Sequence, residues 1–529
     1  MNETFVTLAA AATLAVGIAA FVRQRGWGMA IPLIVAGAVV GAVPVGPQAP
    51  PDPEVILIVI LAPLVFGEAL GSSYLDLRKV SRPVLALAIG LVFATTVVVG
   101  AAAALLVAMP VAMAMALGAV LAPTDAVAVS AVARRAGLPR RMVSILEGES
   151  LVNDGTGLTA LKVALMAAAA GSVTLLQVTG EFVVAVVSGV AVGALGGWAL
   201  SWVLRRSRDL VASNALVLVA PFLLYVVAEE VNGSGILAIV VAALVIAHSQ
   251  NADPGHRGRL QSATVWRHIT FVLQAIAFFL VGMEIPAVLG RLDATGVRDV
   301  AILVPAVVVT LIVTRAVFVF GMVGVANARN TAAGGGGRHL MRSAAIVSWA
   351  GARGPVSGLA AFSIPIAFAS GELVPYRDVL LATTFCIIVI TLLLSLTIAP
   401  LARLLRVESD DDRDTLRKVD VTLARAALDR LTDIEAEAIA AGDPIPAEVS
   451  DRLRGDAEMR LEASAHPEDI TRTQAIEAKR MLSISRSMVR AEQEELIRMR
   501  DEEGLADAIA RPILQRLDLR DQALRTKKG

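Results

Sequence analysis

The sequence predicts an all-α polytopic membrane protein: thirteen transmembrane helices arranged as inverted repeats with two broken crossing helices, plus an α-helical cytosolic C-terminal domain. Three observations carry that expectation. Of 529 residues, 56% are hydrophobic and only 18% charged; with a mean hydropathy of +0.70, this lies outside the range of soluble globular chains. The formal net charge of zero hides a division into an apolar membrane domain, 1–405, and a polar tail, 406–529, rich in Arg, Glu and Asp. Finally, two apolar runs set far apart in the chain are each interrupted by helix-breaking residues.

A membrane-spanning helix needs roughly 20 mostly apolar residues. By that measure the spans are 4–22, 27–43, 54–71, 83–109, 111–133, 141–169, 173–204, 211–231, 234–249, 264–289, 299–326, 341–369 and 376–402. The first of these is read as a span rather than a signal peptide, since it lacks a basic start and further spans follow. Arginines mark alternate loops: Arg134, Arg135, Arg140 and Arg141 after the fifth span, and Arg205, Arg206 and Arg208 after the seventh. The intervening loops carry only Arg291, Arg298 and Arg377. By the positive-inside rule the N-terminus is outside and the tail cytoplasmic. Cys386 is the only cysteine, which excludes an internal disulfide and a cysteine-built metal site.

The breaks are Ala122-Pro123-Thr124-Asp125 in the fifth span and Gly351-Ala352-Arg353-Gly354-Pro355 in the twelfth. Proline removes a backbone donor and glycine weakens helix. Irregular backbone at membrane depth is tolerated only where it lines a cavity or is buried in protein. An offset of seven spans sets the two segments in opposite senses. That is the inverted-repeat plan of secondary transporters, whose site forms where two discontinuous helices meet. Beyond residue 405 come an acidic start at Asp410–Asp414 and three or four amphipathic helices, with breaks at Gly442-Asp443-Pro444 and His466-Pro467.

Charged side chains inside a span are costly and therefore functional candidates. In the sixth span Glu149, Ser150, Asn153 and Asp154 share one helical face. Carboxylate, amide and hydroxyl oxygens are hard ligands, suited to an alkali cation rather than a soft metal. Burial disfavours the charged form of a carboxylate, so Asp154 is placed to trade a proton for a cation. Glu149 needs a counter-ion, and Arg353 in the twelfth-span break is the expected partner in a structural salt bridge. Thr124 is a candidate cation ligand, and Asp125 either caps a half-helix or faces the ion. Glu68 and Arg315 are accessory candidates, pairing with neighbours or gating access. Lys162 snorkels toward the outer end of its span. Glu229, Glu230 and Glu284 are read as span-end residues. No P-loop is present, so ATP is not the driver.

The segments LAPTDAVAV, EGESLVNDGTG and WAGARGPVSGLA resemble the signature segments of the sodium/proton exchangers, on the branch whose ion site carries an Asn-Asp pair. The resemblance covers most of residues 1–400. It implies a plasma-membrane homodimer with no cofactor and no enzymatic activity, in which a core bundle holding the crossed breaks moves against a dimerisation bundle. Carried residue by residue, Asp154 resembles the ion- and proton-binding carboxylate, with Asn153 supporting it. Ser150 and Thr124 are expected cation ligands alongside it. Glu149 and Arg353 resemble the family's buried pair, and Arg315 a basic residue often found in its span. Two departures stand out: proline precedes the Thr-Asp pair, at Pro123, and Gly67 separates Glu68 from Phe66. The expected activity is electroneutral exchange of Na+, or of Li+ or K+, for H+, with membrane lipid and a second copy of the chain as the other partners and no nucleic acid. The alternatives are a cation channel gated by the tail and an ion-sensing membrane protein.

Overall fold

The computed structural model describes residues 2–43, 56–125, 138–171, 174–207, 209–251, 256–330, 337–368, 370–407, 413–465, 472–502 and 507–526. The chain divides into two compact units, Met1–Asp410 and Asp411–Gly529.

The first unit opens with α1 (Asn2–Gln24) and α2 (Ala30–Gly41). A π-helical turn, Leu57–Leu61, runs into α3 (Ala62–Leu70), and the short α4 (Tyr74–Lys79) follows. Next, α5 (Ser81–Leu85) passes through a second π-helical stretch, Ala86–Leu91, into α6 (Val92–Val107). The following helices are α7 (Val111–Leu121), α8 (Arg140–Ala170), α9 (Leu175–Arg206), α10 (Leu210–Glu230) and α11 (Gly235–Asn251). Two long helices, α12 (His256–Arg291) and α13 (Ala294–Asn330), precede the half-helices α14 (Gly337–Trp349) and α15 (Pro355–Phe362). The unit closes with α16 (Arg377–Ser395) and α17 (Ile398–Leu404). Among the described residues, six helices are long and apolar enough to cross a membrane by length and composition. The π-helical turns and α4 are absent from the span pattern, because hydropathy alone does not distinguish a 3.6-residue from a wider turn.

Two packing groups are apparent. The helices α1, α2, α3, α9, α10, α11 and α12 pack mainly among themselves, as do α5 to α8 with α13 to α16. Close approach depends on missing side chains. A Cβ on Gly37 would strike the Phe279 carbonyl, and one on Gly282 the Ile34 carbonyl, so α2 and α12 meet backbone to backbone. The outer faces remain apolar, with Leu195, Trp198 and Val317 exposed, while the polar side chains described below are turned inward. That inversion suits a protein whose solvent is lipid.

The second unit consists of α18 (Arg413–Ala440), α19 (Ala447–Ala465), α20 (Arg472–Glu502) and α21 (Asp507–Thr526). Gly442, with φ of 76°, makes the turn that lets α18 and α19 pack as a hairpin. Val489, Leu496 and Leu517 form a small core between α20 and α21. The break at His466-Pro467 lies outside the described residues.

Candidate functional site

Both interruptions produce real breaks. The helix α7 stops at Leu121, and α14 stops at Trp349 with α15 restarting at Pro355. Residues 126–137 lie outside the described set, so Asp125 is not assigned as a cap. The broken stretches touch directly: the Asp125 N–H donates to the Ala352 carbonyl at 2.8 Å. Gly354 is required there, because a Cβ would sit 2.5 Å from both Cβ and Cγ of Asp125. Gly157 plays the same part on α8, where a Cβ would come within 2.5 Å of Pro123 Cγ.

Each break leaves orphan carbonyls at the end of its first half-helix, and an arginine satisfies them. The Arg353 Nε donates to the Leu121 carbonyl at 2.8 Å, and its Nη1 donates to the Gly351 carbonyl. Its backbone N–H is taken by Thr391 Oγ1 at 3.0 Å. The Arg315 Nε donates to the Val347 carbonyl at 2.9 Å. Arg353 from the second break therefore caps the first, and Arg315 from α13 caps the second.

The expected Glu149–Arg353 salt bridge does not form; Glu149 pairs with Arg315 instead. Nη1 and Nη2 of Arg315 engage both carboxylate oxygens, with Nη2 to Oε2 at 2.8 Å. Arg353 is withheld from Glu149 because a non-helical stretch must satisfy its own backbone acceptors first. Glu149, Arg315 and Arg353 are 1%, 2% and 3% exposed, so the bidentate pair is fully desolvated.

One helical turn further along α8, the Asn153 Nδ2 donates to Thr124 Oγ1 at 2.9 Å, and Thr124 Oγ1 donates to Glu149 Oε1 at 3.3 Å. A chain of hydrogen bonds thus runs from Asn153 to the salt bridge. Asp154, 2% exposed, is treated differently: among the described residues its buried Oδ1 has no hydrogen-bond partner, and neither does Asn153 Oδ1. Asp154 lines a cavity of ≈ 10 Å³ together with Glu68, Pro123, Thr124, Asp125, Ser150, Gly354, Pro355, Val356 and Ser357. The structure thus brings Asp154, Ser150, Thr124, Asp125 and Glu68 to one place, with Asn153 beside them. Glu68 reaches it from α3, where its Oε1 accepts from Gln274 Nε2 at 3.1 Å. The sequence reading passed over Ser357; its only signal there was a place four residues beyond Arg353.

A larger cleft of ≈ 340 Å³ lies between the α12–α13 turn and the start of α16. Its charges are spent on one another, with Arg291 bound to Glu284 at 3.1 Å and to Asp378 at 3.3 Å. Size therefore does not make it the site. Lys162 forms an ion pair with Glu229 at 2.6 Å instead of only snorkelling. Among the described residues, no group of three His, Cys, Asp or Glu side chains is placed to hold a metal ion.

The model of the sodium/hydrogen exchanger transmembrane family matches residues 10–404. This chain belongs to the sodium/hydrogen exchanger family. A Na(+)/H(+) exchanger of Mycobacterium bovis is 33% identical over 439 residues, covering 82% of this chain and 80% of the relative. A sodium, potassium, lithium and rubidium/H(+) antiporter of Bacillus pumilus is 31% identical over 392 residues, 70% of this chain and 57% of that one. In fold the chain resembles the sodium proton antiporter MjNhaP1 of Methanocaldococcus jannaschii, with a TM-score of 0.60 at 16% identity, over 77% of this chain and 98% of that one. The protein is a multi-pass membrane antiporter that exchanges cations for protons.

Proposed function

We propose that the chain exchanges Na+ for H+ one for one by alternating access, with Asp154 as the carboxylate that binds either. One observation carries the reading: a buried carboxylate oxygen without a partner, in a cavity walled by both helix breaks. A buried polar atom left unsatisfied costs about 1–3 kcal/mol, and a proton or a cation relieves that cost. Either one neutralises Asp154 and lets the site cross; the bare anion does not cross, which couples the two fluxes. Ser150 and Thr124 contribute oxygens to the cation, and Asn153 holds Thr124 in place. Asp125 lines the cavity beside them.

One-for-one exchange also requires Glu68 and Asp125 to keep a constant charge through the cycle. A cavity of ≈ 10 Å³ has room for about one water or one small ion, which favours a carrier over an open channel. The name of the Bacillus pumilus relative suggests that Li+ and K+ are also accepted. The protein acts as a plasma-membrane homodimer of thirteen spans per subunit, N-terminus outside, 1–405 the transport domain and 406–529 a cytoplasmic one.

Proton movement in everted vesicles tests this. A Na+ pulse should dissipate an imposed pH gradient in the wild type without a change in membrane potential, and Asp154→Asn should abolish that response. Substantial residual exchange in Asp154→Asn would sink the assignment, and a potential change in the wild type would sink the one-for-one stoichiometry.

A further inference from the structure

We infer that Ser357 is a further ligand of the transported cation and helps to set which alkali cation the site prefers, a reading that rests on the exchange proposed for this cavity. Ser357 stands at the third position of α15, 1% exposed, and among the described residues its hydroxyl has no hydrogen-bond partner. Several hydroxyls on the helices around it bond to their own helix. Thr159 donates to the Gly155 carbonyl at 2.6 Å, Thr156 to Val152 at 3.0 Å and Thr391 to Ile387 at 2.8 Å. That acceptor lies four residues back. For Ser357 it would be Arg353, which sits in the break where no helical carbonyl is presented. The break therefore denies Ser357 the local bond and leaves its hydroxyl for the cavity.

Other buried hydroxyls also lack partners, among them Thr96, Thr383 and Thr384. None of these lines the cavity, whereas Ser357 does so together with Asp154 and its unpartnered oxygen. Two residues with unpartnered oxygens thus line one space large enough for a single small ion, and an occupant that both could bind would satisfy them. A desolvated alkali cation fits, because it accepts oxygens from any direction and a hydroxyl can turn its lone pair inward. Glu68 and Asp125 also line the cavity, but among the described residues no three acidic side chains are placed to hold an ion by themselves, so neutral oxygens complete the shell. Ser150 and Thr124 approach from α8 and the first break; Ser357 supplies the side of the second break, which otherwise presents only Gly354, Pro355 and Val356. Its distance from the carboxylate would then tune the shell to cation size.

The test is cation-dependent proton movement in vesicles containing Ser357→Ala and Ser357→Cys, with Na+, Li+ and K+ titrated separately and Asp154→Asn as control. Both variants should keep the maximal rate and the melting temperature, and raise the KM for Na+ roughly tenfold, the scale of one lost polar contact. The KM values for Li+ and K+ should shift by different factors, changing the order of preference. An unchanged KM for every cation overturns the proposal. So does a fall in maximal rate common to all cations, which would mark Ser357 as a packing residue. A wild type that moves no protons in response to any cation would defeat the proposed exchange rather than the role of Ser357.

Discussion

Glu149 and Asp154 stand on one helix little more than a turn apart, and both are almost wholly buried. Every oxygen of Glu149 is answered: Arg315 grips both, and Thr124 donates to Oε1 as well. Asp154 faces the cavity with Oδ1 unanswered. Equal burial therefore comes with opposite surroundings. A carboxylate with an arginine locked against it is a fixed anion that joins helices. Asp154 lines a cavity and, among the described residues, has no arginine locked against it.

The same isosteric change made at both positions tests that contrast most severely. Asp154→Asn is expected to abolish exchange while leaving the melting temperature of the detergent-purified protein within a few degrees. Glu149→Gln should do the reverse at first reading, stranding Arg315 and costing about 3–5 kcal/mol, seen as a large drop in melting temperature and yield. Transport activity is then lost with the folded fraction. Stable protein without transport at Glu149→Gln would erase the distinction.

Thr124 lies between the two, because it accepts from Asn153 and donates to Glu149. Thr124→Val removes both bonds at similar volume. We expect a loss of about 1–2 kcal/mol in stability together with a several-fold higher KM for Na+. A change in only one of those quantities would assign Thr124 to one side. The smallest effect is expected at Glu435 in the exposed α18–α19 hairpin, where the Ser450 hydroxyl and then the Arg454 guanidinium hold the carboxyl below its usual range. With the folded value depressed, its contribution is complete above the ordinary carboxylate value and is lost as pH falls through the folded one. Hydrogen exchange of the full-length protein should show α18–α19 protection weakening across that acid interval, and Glu435→Gln should remove the dependence.

The sequence made the breaks legible, because Pro123 and the Gly351–Pro355 run cannot continue a helix whatever surrounds them. It also set Asp154, Asn153, Ser150 and Thr124 together, since helical spacing and the position of the break fix their neighbourhood. The partner of Glu149 was hidden. Choosing between two buried arginines requires knowing where orphan carbonyls fall, and a hydropathy pattern carries no account of backbone acceptors. Ser357 was hidden for the same reason: the acceptor four residues back, at Arg353, lies in the break rather than in a helix.

The hydrogen bond from the Asp125 N–H to the Ala352 carbonyl, with Arg353 clasping Leu121, ties the two interruptions to each other. The alternating access proposed above would move both breaks together, with slip along the seam where α12 faces α15 and α16 and where α8 faces α9 and α11. Two ion pairs straddle that seam, Lys162 with Glu229 and Arg291 with Asp378. Both are partly open to solvent, and such pairs are worth about 1 kcal/mol or less. They would act as detents rather than bolts: strong enough to define a resting position, weak enough for thermal motion to release.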